Sequence, residues 1–343
     1  MLSRVANTLY WMTRYVERAD NLARLIEVIR QLLLDHECLD TDRLRAFWQP
    51  IILSTGDEEL FRTHYPDFGG TEVIRFLTDD PNNPNSITSC IAQARENARS
   101  IRDQIADEIW EELNALFLFT RSSSSSRLVT DDPALYYGNI RRAAFTFHGT
   151  AAATTPRDEH WDFMELGRHI ERADKTTRFL DVASYLPTED DSSRPQTLHW
   201  SAILRACGAL SAYRAAERIV TARNVVKLLV FSSHMPRSVR FCIDSVDQCL
   251  HRISGSPRST FSNDAEKESG RLLAELSYGV PDDAFAAGLH PFLDDLQSRF
   301  NEVGEAIFRS YVLMPEVIEL SPPADPRSVS AAAAWQLQIQ QQQ

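Results

Sequence analysis

The sequence predicts an all-α protein, a helical bundle built from an internal duplication of about 150 residues. Three observations predict it. Glycine is scarce, with 12 in 343 residues, about half its usual frequency. The 16 prolines cluster, so long stretches carry neither breaker. Apolar residues recur at intervals of three and four, and no convincing set of period-two strands is found. A charged tetrapeptide, Glu-Arg-Ala-Asp, occurs at 17–20 and again at 171–174, with an arginine before and after it each time.

The elements follow in order. Residues 2–37 show helical spacing, with Leu9, Met12, Val16, Ala19, Ala23 and Ile26 along one face. A second helical pattern covers about 43–55. The turn cluster "DDPNNPN" at 79–85 leads into one long helix from Ile87 to Phe119, whose stripe is Ala94, Ala98, Ile101, Ile105, Ile109 and Leu113. "RSSSSSRLVTDDP" at 121–133 reads as a flexible connector. A helix over 133–153 follows. The second copy of the charged helix carries Phe163, Leu166, Ile170, Ala173, Thr177 and Leu180 at the matching positions. A second connector occupies 186–195, and helical patterns cover about 197–231, 236–253, 264–278 and 290–312. From Ser321 onward the Pro-, Ala- and Gln-rich sequence reads as a tail.

The repeat extends beyond the tetrapeptide. At a spacing of 154 residues, Arg14, Glu17, Arg18, Ala19, Asp20, Arg24 and Val28 meet Arg168, Glu171, Arg172, Ala173, Asp174, Arg178 and Val182. The spacing then becomes 152: Trp48, Ile51 and Gly56 meet Trp200, Ile203 and Gly208, and "PNSITSCI" at 84–91 meets "PRSVRFCI" at 236–243. These matches predict two units, 1–155 and 156–320, packed as one body about a pseudo-twofold axis, with a tail at 321–343.

A net charge of −12 argues against a general nucleic-acid or anionic-membrane binder, since both need a basic surface. The five cysteines form no C-x-x-C pair, which fits reduced, buried thiols. Arginines interrupt the N-terminal segment where a signal peptide would need its apolar core. No run approaches the ~18 apolar residues of a membrane span. A cytoplasmic protein is expected.

The candidate binding residues lie on the repeated helix and on one other. Arg14, Glu17, Arg18, Asn21 and Arg24 fall opposite the apolar stripe, as do Arg168, Glu171, Arg172, Lys175 and Arg178 in the second copy. Two readings are open. The face is a solvated helix back laced with i, i+4 pairs, each contributing only tenths of a kcal/mol. Alternatively it is buried against another helix or lines a cleft, where arginine needs carboxylate partners or a ligand that offers them. Arg95, Arg99 and Arg102 form a third basic row, and convergence of the three rows would make an anion site. No H-E-x-x-H, Walker loop, G-x-G-x-x-G or G-x-S-x-G is present. His148 and His160 read as structural, and neither a metal site nor a cofactor is expected.

The segments "LYWMTRYVERADNLARLIEV", "ARENARSIRDQIADEIWEELN" and "WDFMELGRHIERADKTTRFLDV" together resemble the bacterial α-E domain proteins, an all-helical family named for its Glu-Arg motif. The resemblance spans about residues 1–320. It marks Glu17-Arg18 and Glu171-Arg172 as the motif, with Arg99 and Arg102 in the matching central helix, and it brings no established catalytic role. Members typically accompany, or are fused to, circularly permuted ATP-grasp proteins and transglutaminase-like peptidases. The resemblance therefore implies one of these as partner, in a system that makes or breaks amide bonds, with a peptide or an anionic small molecule as ligand. Three functions follow as expectations: a non-catalytic partner of an amide ligase, an enzyme of that pathway using Glu17 or Glu171 as acid or base, or a structural scaffold.

Overall fold

The computed structural model describes residues 1–34, 41–185 and 193–313. Sixteen α-helices and no strand occur among them. In chain order they are α1 Ser3–Leu34, α2 Thr41–Thr55, α3 Glu58–His64, α4 Gly70–Thr78, α5 Ile87–Ser100, α6 Asp107–Arg121, α7 Ser123–Asp131 and α8 Pro133–Thr154; then α9 Glu159–Tyr185, α10 Ser193–Ala206, α11 Leu210–Ala216, α12 Ala222–Leu229, α13 Val239–Ser254, α14 Asp264–Tyr278, α15 Pro281–Ala286 and α16 Leu289–Tyr311.

The two long charged helices, α1 and α9, pack on each other at the centre. Their apolar stripes are sealed as the spacing predicts: Leu9, Met12, Ala23 and Ile26 are buried on α1, and Leu166, Ile170, Ala173 and Leu180 on α9. Around them α5 and α8 pack on α1, while α13 and α16 pack on α9. Ser86 and Ser238 cap α5 and α13, each accepting a backbone N–H three residues on. Gly56 and Gly208 follow α2 and α10 with φ of +77° and +63°, a left-handed geometry that glycine adopts without strain.

Three expectations change. The helix expected over 87–119 is two helices. The backbone leaves helical geometry at Ile101 and again at Ile105, with one 3-10 turn between. This lets α6 fold back onto α5 and bury Ile109, Leu113 and Leu116; a continuous helix of that length would run about 50 Å and leave its far end unpacked. The serine run is not a connector: Ser122 accepts the Ser125 N–H, Ser125 is buried, and Leu128 and Val129 lean on the core as part of α7. The pattern over 197–231 is three helices, divided at Gly208 and at the Thr221 cap. Helices α3, α4 and α15 carry no expectation at all, being only 7, 9 and 6 residues long. Most of the connector at 186–195 and the whole tail from Ser321 lie outside the described residues.

Candidate functional site

The closeness of α1 and α9 sets everything at the centre. Thr13 donates its hydroxyl to the Met164 carbonyl at 2.8 Å. A Cβ on Gly167 would lie 2.1 Å from the Tyr10 carbonyl oxygen and 2.5 Å from the Thr13 hydroxyl. Only a residue without a side chain fits there. One turn further along both helices, the two charged motifs meet.

They meet by exchange. Arg172 of the second motif donates to both carboxylate oxygens of Glu17 in the first, at 2.9 and 2.8 Å. Arg18 of the first motif donates to both oxygens of Glu171 in the second, at 2.6 and 3.0 Å. Both carboxylates are fully buried. Two-point pairing of this kind satisfies planar fork and planar carboxylate together. Further out, Arg24 and Arg178 are held by Asp20 and Asp174 at 2.8 Å. Each then reaches across: Arg24 to the Ala206 carbonyl at 3.4 Å, Arg178 to the Ser54 carbonyl at 2.6 Å.

One difference breaks the likeness of the two sides. Beside Glu17, Arg237 fills the space, 3.1 Å from Glu17 and 2.7 Å from both Asn21 and Asp20. At the corresponding place beside Glu171 the residue is Asn85, which takes an Arg18 N–H at 2.6 Å. There the extra cation comes from α9 itself: Lys175, in the position of Asn21, lies 2.9 Å from Asp174 and 3.6 Å from Glu171. The pair Asn21 and Arg237 on one side is thus exchanged for Lys175 and Asn85 on the other.

Burial alone would raise both glutamates. The Arg18 and Arg14 guanidiniums reverse this for Glu171, and Arg172 with Arg237 does so for Glu17, so both carboxyls are held well below the usual range. Burial pulls His148, 3.2 Å from Glu17, below its ordinary value despite that neighbour. Burial likewise pushes the Cys90, Cys207 and Cys242 thiols up to about 12, which leaves them protonated and unreactive.

Two adjoining cavities flank the cluster. A polar one of about 180 Å³ is lined by Arg14, Arg18, Lys175 and Arg178, with Asp57 and Asp174. The other, about 480 Å³, lies between α1 and α16. Its walls include Tyr10, Trp11, Phe163, Phe300 and Phe308. Arg14, Phe300 and Asn301 line both. The Arg14 guanidinium sits 4.8 Å from the Trp11 ring centre and 5.4 Å from that of Tyr10.

Of the residues singled out by sequence, Arg14, Glu17, Arg18, Asn21, Arg24, Glu171 and Arg172 come together in this cluster. Arg168 stands aside, paired with Glu165 on its own helix. Arg99 and Arg102 do not join. They sit at the C-terminal end of α5 and just past it, Arg99 exposed and Arg102 half-buried, paired locally with Glu96 and Asp107. The three basic rows therefore do not converge. The i, i+4 pairs Asp20–Arg24 and Asp174–Arg178, which a solvated helix back would expose, are largely buried. Lys175 and Arg178, which share the charged face in the second copy, join the cluster as well; Arg237 and His148 join it without being marked by the face periodicity. Arg237 had a signal, since it is the charged residue that meets Asn85 when the two Pro-x-Ser segments are aligned.

Residues 1–312 match the Alpha-E family, described as a predicted alpha-helical domain with a conserved ER motif. Uncharacterised proteins of Mycobacterium bovis and Mycobacterium tuberculosis are 25% identical over 336 residues, covering 91% of this chain and 37% of theirs. The chain thus spans little more than a third of the length of the curated relatives it matches. No solved structure matches it. No helix among the described residues is long and apolar enough to cross a membrane.

Proposed function

Because the chain belongs to the Alpha-E family, we propose that it is a non-catalytic helical module in which the Glu-Arg motif is an interlock, and that it serves as partner to a circularly permuted ATP-grasp protein or a transglutaminase-like protein in the cytoplasm. The observation that carries this reading is the exchange of arginines. Each motif glutamate is sealed from water and already accepts two bonds from the other motif's arginine. A general acid needs a raised pKa and a reachable proton; both carboxyls are shifted the other way and face protein. The reading of Glu17 or Glu171 as acid or base therefore loses its support. The partner role is supported by the relatives, in which the matching segment is one part of a much longer chain.

The same geometry favours two repeat units, α1–α8 and α9–α16, descended from one. Caps, left-handed glycines and cross-helix arginines recur 152 or 154 residues apart. Exchanging identical motifs across an approximate twofold satisfies both with one arrangement.

Co-purification tests the partner reading. The full chain, expressed with the ATP-grasp or transglutaminase-like protein found beside its gene, should elute as a stable complex. Separate elution of two folded proteins at micromolar concentration refutes it.

A further inference from the structure

We propose that the two joined cavities form a binding site for an organic monoanion, a carboxylate head with an apolar or aromatic body, gripped at Arg14. This goes beyond the interlock and does not rest on the partner reading.

The head would occupy the polar cavity. Arg14 spends its Nε on Glu171 and its Nη1 on the Tyr10 hydroxyl. Arg178 spends Nε on Asp174 and Nη1 on the Ser54 carbonyl. In both, Nη2 has no hydrogen-bond partner among the described residues, and Lys175 uses one donor, on Asp174. Arg14, Arg18, Lys175 and Arg178 bring four positive charges; Asp57, Asp174 and the Glu171 behind them bring three negative ones. One positive charge in excess suits a carboxylate better than a dianionic phosphate. The matching space beside Glu17 is filled by the Arg237 guanidinium; beside Glu171 the shorter Asn85 leaves it open.

The body would lie in the larger cavity. Its volume, about 480 Å³, falls in the range of small-molecule sites, and its walls are mostly aromatic and aliphatic, with Asn7 and Asn301 as the uncharged polar members. Glu305 and Arg309, which also line it, carry opposite charges. Arg14, stacked on Trp11, stands where the two spaces meet, so one side chain can bind the carboxylate while its stem and partner ring border the apolar part.

The test uses the full chain with N-acetylphenylalanine, its neutral amide and phenyl phosphate as probes. Titration calorimetry measures affinity, and Trp11 fluorescence, assigned with Trp11→Phe, reports on the cavity. The acid should bind at least tenfold more tightly than the amide and more tightly than phenyl phosphate. Gly304→Leu fills the larger cavity from α16; a Cβ there meets only the Tyr10 hydroxyl, at 3.6 Å, so the fold should be kept. It should weaken the acid at least tenfold with no fall in melting temperature. Absent binding of the acid at millimolar concentration, equal affinity for acid and amide, tighter binding of the phosphate, or undiminished binding to folded Gly304→Leu would each overturn the proposal.

Discussion

Replacing Glu17 by Gln should destabilise the protein more than the same change at Glu171, although the two residues hold the same place in the same motif. Removing one member of a buried ion pair costs about 3–5 kcal/mol, because the remaining charge stays buried without compensation. Where in that range each variant falls depends on whether the stranded arginines can find water. Glu17 is contacted by Arg172 and Arg237, whose side chains are 7% and 8% exposed. Glu171 is held by Arg14 and Arg18, at 16% and 14%, and both line the polar cavity. Water entering there can rehydrate them. The expected losses are about 4–5 kcal/mol for Glu17→Gln and about 3 kcal/mol for Glu171→Gln. At roughly 2 °C per kcal/mol, the melting temperature should fall by about 8–10 °C and about 6 °C. Urea unfolding followed by circular dichroism at 222 nm gives both values. Adding Arg172→Gln to Glu17→Gln removes one stranded charge, and the double variant should recover about 1 kcal/mol or more relative to the sum of the singles. Losses below about 1 kcal/mol for both, or a larger loss at Glu171, would refute the reasoning.

Gly167→Ala should be among the most damaging single changes, costing about 4 kcal/mol or more, because its Cβ would meet the rigid Tyr10 backbone at 2.1 Å; Gly138→Ala on α8, with nothing within 4 Å, should instead stabilise by about 0.5–1 kcal/mol, and thermal melts compare them. Arg99→Ala and Arg102→Ala, whose pairs are exposed, should each change stability by about 0.5 kcal/mol or less in the same assay. Stability should fall on acidification in two stages. His148 and His169 are pulled down chiefly by burial, so below an unfolded value of about 6.5 the unfolded chain binds protons that the folded chain refuses. Below about 4.5 the depressed carboxyls add the same sign: Glu17, Glu171 and Glu165, the last held at about 2 by His169 and Arg168 against burial, lose their contribution as pH falls through their folded values. Urea midpoints from pH 8 to 2 should show both stages, and His148→Gln should flatten the upper one.

Helix periodicity made α1, α9, α13, α14 and α16 legible, because an apolar face at intervals of three and four is a local property of the chain. The break inside 87–119 was not legible. Ile101 and Ile105 keep the apolar spacing alive across the very residues where the backbone turns. Nor was α7, whose serines resemble a linker in composition but gain a cap and a buried position from what lies around them. At the site, the repeat marked Glu17, Arg18, Glu171 and Arg172, and the structure brings these four side chains together. Arg99 and Arg102 lie apart from that set, because their i, i+3 spacing fixes only a direction about a helix that begins beside the cluster at Asn85 and carries them to its far end.

By itself the sequence determined the two long charged helices, their matching motifs and the spacing between them, since these follow from dihedral preference and face periodicity within a few turns. It could not say that Glu17 would receive Arg172 and Glu171 would receive Arg18. That choice depends on how closely two helices 154 residues apart cross at Gly167, and an ion pair a few ångströms long exists only once the crossing has removed the water between its members.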